Sequence, residues 1–297
     1  WAINIGHFLA KKLQSEGCRL AALTLKRTTH EFIANQKEVT YDFIISNDEI
    51  ESRPKDYLGG DTYTLAEIEE ALGIESIWPI VMSLRSHVRS YKDGFYYSSM
   101  QNVSDEGIID YVMAVYKCIK FIFEQFSPDL IITPTFVGFP HIMFNLYAKK
   151  KGVPTQGTID SKVSGMYLFS HDYLGSSGDF WNRLDLLNAG NEKSRNEDRA
   201  KKYITEFRKK FKHPTYTFIR KEFQRTFYQK IRHLASPYYH ILRWYIKRPM
   251  SELESTGITI DYRPPRIILR DHYCKDRYAK FMNNFEYYPF DKVGKFV

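Results

Sequence analysis

The stretch from residue 129 to residue 159 constrains the fold more than any other. Residues 129–133, Asp-Leu-Ile-Ile-Thr, form a short apolar run of strand length. A loop rich in Gly and Pro follows. Residues 140–151 then read as a helix that ends in three lysines and Gly152, and residues 154–159 read as a second strand. Two strands joined through a helix lie parallel, because a crossover of this kind returns the chain to the end of the sheet from which it left. Residues 130–148 carry no Lys, Arg, Asp or Glu and are long enough to span a bilayer. Pro134, Gly138 and Pro140 interrupt that stretch, and turn signals flank it, so it is read as strand, loop and helix.

The residues before it alternate in the same way. Ile5, Phe8, Leu9 and Leu13 lie at helical spacing and predict a helix over 3–16, followed by a strand at 19–25. A short helix near 29–35 and a strand at 41–46 come next, then a polar loop with Gly59-Gly60. Thr64 with Glu67 three residues on has capping-box spacing and opens a helix. A further helix is expected over 75–89. Residues 105–126 form a long amphipathic helix with Ile108, Val112, Val115, Ile119 and Ile122 on one face. Strand and helix in turn predict an α/β domain with a Rossmann-like, doubly wound parallel sheet over residues 1–190. An α/β chain of this plan starts on a strand, so its opening helix leads us to expect a first strand ahead of this sequence. Residues 191–285 read as a basic, mostly helical extension, with helices at 192–212, at 220–247 interrupted at Ser236-Pro237, and at 264–285. Residues 286–297 read as a linker to a second domain.

Charge divides the chain in the same place. The net charge is +8, made of −5 over residues 1–190 and +13 over residues 191–297. The excess is densest between 201 and 250, at +12. There Phe223, Phe227, Ile231, Leu234, Tyr238, Ile241 and Tyr245 form an aromatic and aliphatic stripe among Arg220, Lys221, Arg225, Lys230, Arg232 and Arg243. Such a segment packs as an amphipathic pair on its own domain, or lies on an anionic membrane surface, or meets nucleic acid. No nucleic-acid recognition module accompanies the charge, so no nucleic-acid partner is expected. The membrane surface, through residues 201–248, is the expected partner. Three scattered cysteines fit neither a disulfide framework nor a zinc site, and a reducing, cytoplasmic location is expected, peripheral on the inner face of the membrane.

No glycine-rich dinucleotide or P-loop signature, no H-E-x-x-H, no C-x-x-C and no G-x-S-x-G occurs. No D-x-D occurs either, so a metal-held nucleotide sugar has no visible ligands, and neither metal nor cofactor is expected. What remains is position, because ligands of an open parallel sheet bind beyond the carboxyl ends of its strands. Those ends carry Lys26 and Arg27; Asn47, Asp48 and Glu49; the loop from Thr133 through Thr135 to His141; and Asp160-Ser161-Lys162. His7 lies beside the same edge. His141, at a helix N-terminus, either caps and packs or acts as a base or hydrogen-bond donor. Asp160 with Lys162 forms either a local turn pair or part of a polar site. Lys26 and Arg27 either face solvent or meet phosphate.

Three segments carry a resemblance. Asp129-Leu130-Ile131-Ile132-Thr133-Pro134, then Phe144 through Pro154, then Thr158-Ile159-Asp160-Ser161-Lys162, resemble the bacterial capsule and surface-polysaccharide biosynthesis proteins. Those look like GT-B-type glycosyltransferases, two Rossmann-like domains facing a cleft. Ile5-Gly6-His7-Phe8-Leu9-Ala10 is similar to the first helix of such N-terminal domains, and Phe290 through Val297 resembles the linker into the second. The resemblance implies an acceptor-side domain of an enzyme that transfers sugar from a nucleotide sugar to a glycan or lipid-linked acceptor, with the donor bound mainly by the second domain. His141 and Asp160 are then the catalytic candidates, and His7, Lys26, Arg27, Thr135 and Lys162 the substrate-binding ones. The alternative is a non-enzymatic membrane-surface or glycan-binding component of a polysaccharide assembly or export complex.

Overall fold

The computed structural model describes residues 5–84, 104–161, 163, 166–209 and 227–246, with Pro265, Leu269 and His272 besides. Lys162, the linker at 286–297 and the expected helix at 264–285, apart from those three residues, lie outside the described residues. The chain divides into two units, one of residues 1–84 and 105–226, the other of residues 85–104 and 227–297.

The first unit is mixed α/β and mostly helical. Its elements are α1 (His7–Ser15), β1 (Ala22–Thr24), α2 (Arg27–Asn35), β2 (Ile44–Ser46), α3 (Asn47–Ser52), α4 (Pro54–Leu58), α5 (Leu65–Leu72), α6 (Trp78–Val81), α7 (Asp105–Gln125), β3 (Ile131–Thr133), α8 (Phe139–Lys151), β4 (Thr155–Asp160), β5 (Tyr167–Ser170), α9 (Asp179–Asn188) and α10 (Glu197–Lys209). β1 pairs parallel with β2, Leu23 opposite Ile45. β3 pairs parallel with β4, Ile132 opposite Gln156, as the crossover through α8 requires. β5 returns antiparallel on β4, with Thr158 opposite Phe169. The short connection between β4 and β5 permits only that direction, since a parallel return needs a dozen residues or more. Among the described residues the strands thus form two sheets, β2-β1 and β3-β4-β5, where one parallel sheet was expected.

Local chemistry sets the helix ends. Glu67 N–H donates to Thr64 Oγ1 at 3.2 Å while Thr64 N–H donates to Glu67 Oε2 at 2.7 Å, the reciprocal cap read from the sequence. α5 and α8 stop at Gly73 and Gly152, whose φ of 68° and 72° a residue with a Cβ rarely adopts. α7 buries Ile108, Val112, Val115, Ile119 and Ile122, the face its spacing marked. α8 is buried from Phe139 through Ala148 apart from a half-buried His141, and it packs on α5 and α7, while α4 packs on the same α7 and adds Leu58 to the core. Phe139 meets Tyr111 of α7 at 5.8 Å between ring centroids, and Tyr147 meets Phe123 edge-on at 4.8 Å.

Three expectations change. The polar loop after β2 is two short helices: Ser46 caps α3, and Pro54 starts α4, where a missing N–H costs nothing. The helix expected over 75–89 is the single turn α6 as far as the described residues run, to Leu84. In the second unit, α11 (Phe227–Ile246) continues through Pro237 without the break placed at Ser236-Pro237. Phe227, Ile231, Leu234, Tyr238 and Tyr245 of its stripe are exposed. No helix among the described residues is long and apolar enough to cross a membrane.

Candidate functional site

The carboxyl ends of β1 and β2 lie side by side and run directly into α2 and α3. Buried polar side chains gather there: Thr24, Arg27, Ser46, Asn47 and Asp48. Thr24 Oγ1 donates to the Ile45 carbonyl at 3.2 Å and lies 3.1 Å from His30 Nδ1. Asn47 exchanges hydrogen bonds with Tyr111 Oη at 3.0 and 3.2 Å, which fixes α3 on α7. Arg27, only 4% exposed, has its Nε 3.4 Å from Glu31 Oε1 one turn on. Lys26, just before it, has extended backbone and points its charge at solvent. Two charged residues, Arg27 and Asp48, are thus buried close to the carboxyl ends of β1 and β2. Taking such groups out of water costs several kcal/mol per ion before pairing.

The loop after β3 is held rigidly. Thr133 Oγ1 donates to the Thr135 carbonyl at 2.9 Å, and Thr158 of β4 donates to the Pro134 carbonyl. The Phe136 ring lies on Gly157, where a Cβ would stand 2.5 Å from it. Phe136 and Phe139 are both buried, so neither presents an open apolar face; Val137, at the tip, is exposed. His141 Nδ1 accepts the Gly138 N–H at 3.3 Å and so caps α8. Burial pushes its imidazole down to about 4. At neutral pH the ring is uncharged and, with Nδ1 accepting, carries its proton on Nε2. Of the two chemical roles open to it, the geometry favours hydrogen-bond donor over base.

His7 is buried at the start of α1. Its Nε2 lies 2.7 Å from Glu38 Oε2, and its ring stands edge-on to Phe32 at 5.3 Å. The hydrogen bond from His7, and then the hydrogen bond and charge of Lys11, hold the Glu38 carboxyl below its ordinary value. Asp160 ends β4, exposed, opposite Tyr167 of β5. A cleft of about 180 Å³ opens between β1 and β3, lined by Leu23, Leu25, Ile132, Phe136, His141 and Asn145 among others. It takes in His141, but His7, Lys26, Arg27, Thr135 and Asp160 do not line it.

One buried network escaped the sequence reading. Asn145 Nδ2 donates to Thr155 Oγ1 at 2.5 Å and to the His171 carbonyl at 2.9 Å, while its Oδ1 accepts from Tyr173 N–H at 3.1 Å. It locks α8, β4 and the turn after β5 together. The available signal was an amide inside the apolar run of residues 142–148, which demands partners once buried. No group of three or more His, Cys, Asp or Glu side chains able to hold a metal ion occurs among the described residues. Comparison with protein-family models, with curated proteins and with solved structures finds no match to this chain.

Proposed function

We propose that this chain is the acceptor-side α/β domain of a glycosyltransferase acting on a surface-polysaccharide or lipid-linked acceptor. The observation that carries the reading is the gathering of Thr24, Arg27, Asn47 and Asp48 at the carboxyl ends of two parallel strands, the edge at which open α/β sheets bind ligands. The buried Thr24 and Asn47 fix the two strand ends through their internal hydrogen bonds, and Lys26, exposed at the rim, suits the phosphate of a lipid-linked acceptor. The neutral His141, with Nε2–H outward from its cap, adds a donor at the end of β3. In this reading the nucleotide sugar is a substrate held by a second domain, and the base that deprotonates the acceptor hydroxyl is Asp160 or a group of that other domain.

The test is acceptor binding by the chain itself. Saturation-transfer NMR with phosphorylated and unphosphorylated oligosaccharide fragments of bacterial surface polysaccharide is expected to give signal transfer to the sugar protons. Lys26→Glu, at an exposed position, is expected to weaken the phosphorylated ligand several-fold and the unphosphorylated one little. No nucleotide-sugar hydrolysis is expected from this chain alone, because transfer needs both reactants positioned across a cleft. An absence of transfer to every fragment at millimolar concentration would overturn the reading.

The basic segment of residues 201–248 is assigned, in the same reading, to the anionic membrane surface on which a lipid-linked acceptor resides. The exposed aromatic stripe of α11 supports it.

A further inference from the structure

The two faces of the sheet β3-β4-β5 differ sharply. Ile132 lies opposite Gln156, Thr158 opposite Phe169 and Asp160 opposite Tyr167, and residues paired in this way point their side chains to one face. The alternate residues turn inward. Ser170 is fully buried, Thr155 is buried against Asn145 of α8, and Gly157 receives the Phe136 ring. The first face is open instead: Tyr167 is 71% and Phe169 54% exposed, and Asp160 beside them is exposed as well. Among the described residues neither ring has an aromatic partner, and neither Tyr167 Oη nor the half-buried Gln156 amide makes a hydrogen bond. The strand that carries the two rings is held firmly. Thr155 Oγ1 donates to the His171 carbonyl at 2.7 Å, Ser170 Oγ to the Asp172 carbonyl at 2.8 Å, and Ser161 Oγ to the Met166 carbonyl at 2.6 Å.

We propose that this face is a carbohydrate-binding platform, and that its ligand is a neutral oligosaccharide of pyranose rings lying along β5. A pyranose has an apolar face of C–H groups and a rim of hydroxyls, and the sheet offers a row for each. Tyr167 and Phe169, two apart on one side of a strand, stand roughly 7 Å apart, so two consecutive sugar rings each find an aromatic face. The negative face of each ring attracts the C–H groups laid on it. The neighbouring row on β4 meets the hydroxyls: the Gln156 amide both donates and accepts, and the Asp160 carboxylate accepts. Thr158, between them, spends its proton on the Pro134 carbonyl and keeps its oxygen as an acceptor. Charge argues against other ligands. Asp160 is the one charged side chain among these six positions, whereas an anionic membrane or a nucleic acid calls for Lys and Arg. A protein partner would bury that carboxylate at the centre of the contact, where interfaces are poor in charge. Rings already fixed on a held strand need little ordering when a ligand arrives. The ligand class follows from the chemistry of the face and not from the glycosyltransferase reading, so the two fail separately.

The test is a titration of the nitrogen-15-labelled chain with neutral tetrasaccharides: cellotetraose, laminaritetraose, maltotetraose and chitotetraose. At least one is expected to bind in the millimolar range and to shift the backbone amides of Thr158, Asp160, Tyr167 and Phe169. Tyr167→Ala and Phe169→Ala are each expected to weaken that sugar about tenfold, while Tyr167→Phe, which keeps the ring, stays within about threefold of wild type. Both positions are exposed, so the melting temperatures of the variants are expected to match wild type, which separates lost binding from lost folding. Binding of the neutral sugar is expected to be indifferent to Lys26→Glu. The absence of binding by all four sugars would overturn the proposal, as would shifts confined to other amides. A dimer that the double variant at Tyr167 and Phe169 dissolves would also overturn it, since a second copy would then cover the face. Phosphorylated fragments that bind through Lys26, with no change in the double variant, would uphold the glycosyltransferase reading and overturn the platform.

Discussion

At the start of α8, one hydrogen bond and one burial decide what a histidine can do. His141 spends Nδ1 on the Gly138 N–H, and burial pushes the ring down to about 4, against about 6.5 for an unperturbed imidazole. The unfolded chain therefore binds the extra proton first as pH falls. The contribution to stability is fully present above about pH 6.5 and is lost as pH falls toward 4, worth about 3 kcal/mol over that window. His141→Gln keeps an acceptor near the cap but does not titrate. The difference in urea midpoint between wild type and variant is expected to narrow steadily from pH 7 to pH 4; a constant difference would mean that the imidazole is not buried in solution. Gly157 carries a prediction of another kind. Gly157→Ala drives a Cβ into the Phe136 ring, and overpacking of this sort costs about 1–3 kcal/mol, measured as a lowered denaturant midpoint with unchanged slope. A neutral effect would show that the loop after β3 gives way.

At the scale of elements, α7 and α8 hold the domain together. Ile119 is fully buried on the inner face of α7, so Ile119→Ala is expected to cost about 2–5 kcal/mol, lost transfer energy plus the cavity left behind. The cap of α5 is an independent device at an exposed site. Thr64→Ala removes the acceptor of Glu67 N–H and is expected to cost about 1 kcal/mol. The two sites belong to different helices and share no partner, so the double variant should show the sum within about 0.5 kcal/mol in equilibrium unfolding. A clear departure from additivity would reveal a coupling through the core that the contacts do not predict.

At the scale of the molecule, charge separates what the fold keeps together in sequence. The first 190 residues carry −5 and the remainder +13. A strongly basic part attracts acidic surfaces electrostatically. Cosedimentation with vesicles containing phosphatidylglycerol is expected to exceed that with neutral vesicles, to fall as salt rises, and to drop at least tenfold on charge reversal at Arg225, Lys230 and Arg232, since each basic residue near such a surface is worth about 1 kcal/mol. Equal sedimentation with both vesicle types would remove the membrane from the list of partners.

Local signals alone determined the elements whose causes are local. The run of residues 129–133, the Gly and Pro loop and the Gly152 stop were enough for β3, α8 and the parallel return of β4. The spacing of Ile108, Val112, Val115, Ile119 and Ile122 was enough for the buried face of α7. Thr64 and Glu67 were enough for a cap. What depended on residues far apart in the chain was out of reach. Asn145 could be seen as an amide in an apolar run, but its partners Thr155, His171 and Tyr173 come from β4 and the turn after β5. Arg27 and Asp48 could be placed at strand ends, but nothing in their order along the chain tells that both are buried. The division into two sheets, and the cleft between β1 and β3, were decided by tertiary structure for the same reason. A strand's propensity fixes its backbone, while its neighbour is fixed by where the helices carry the chain.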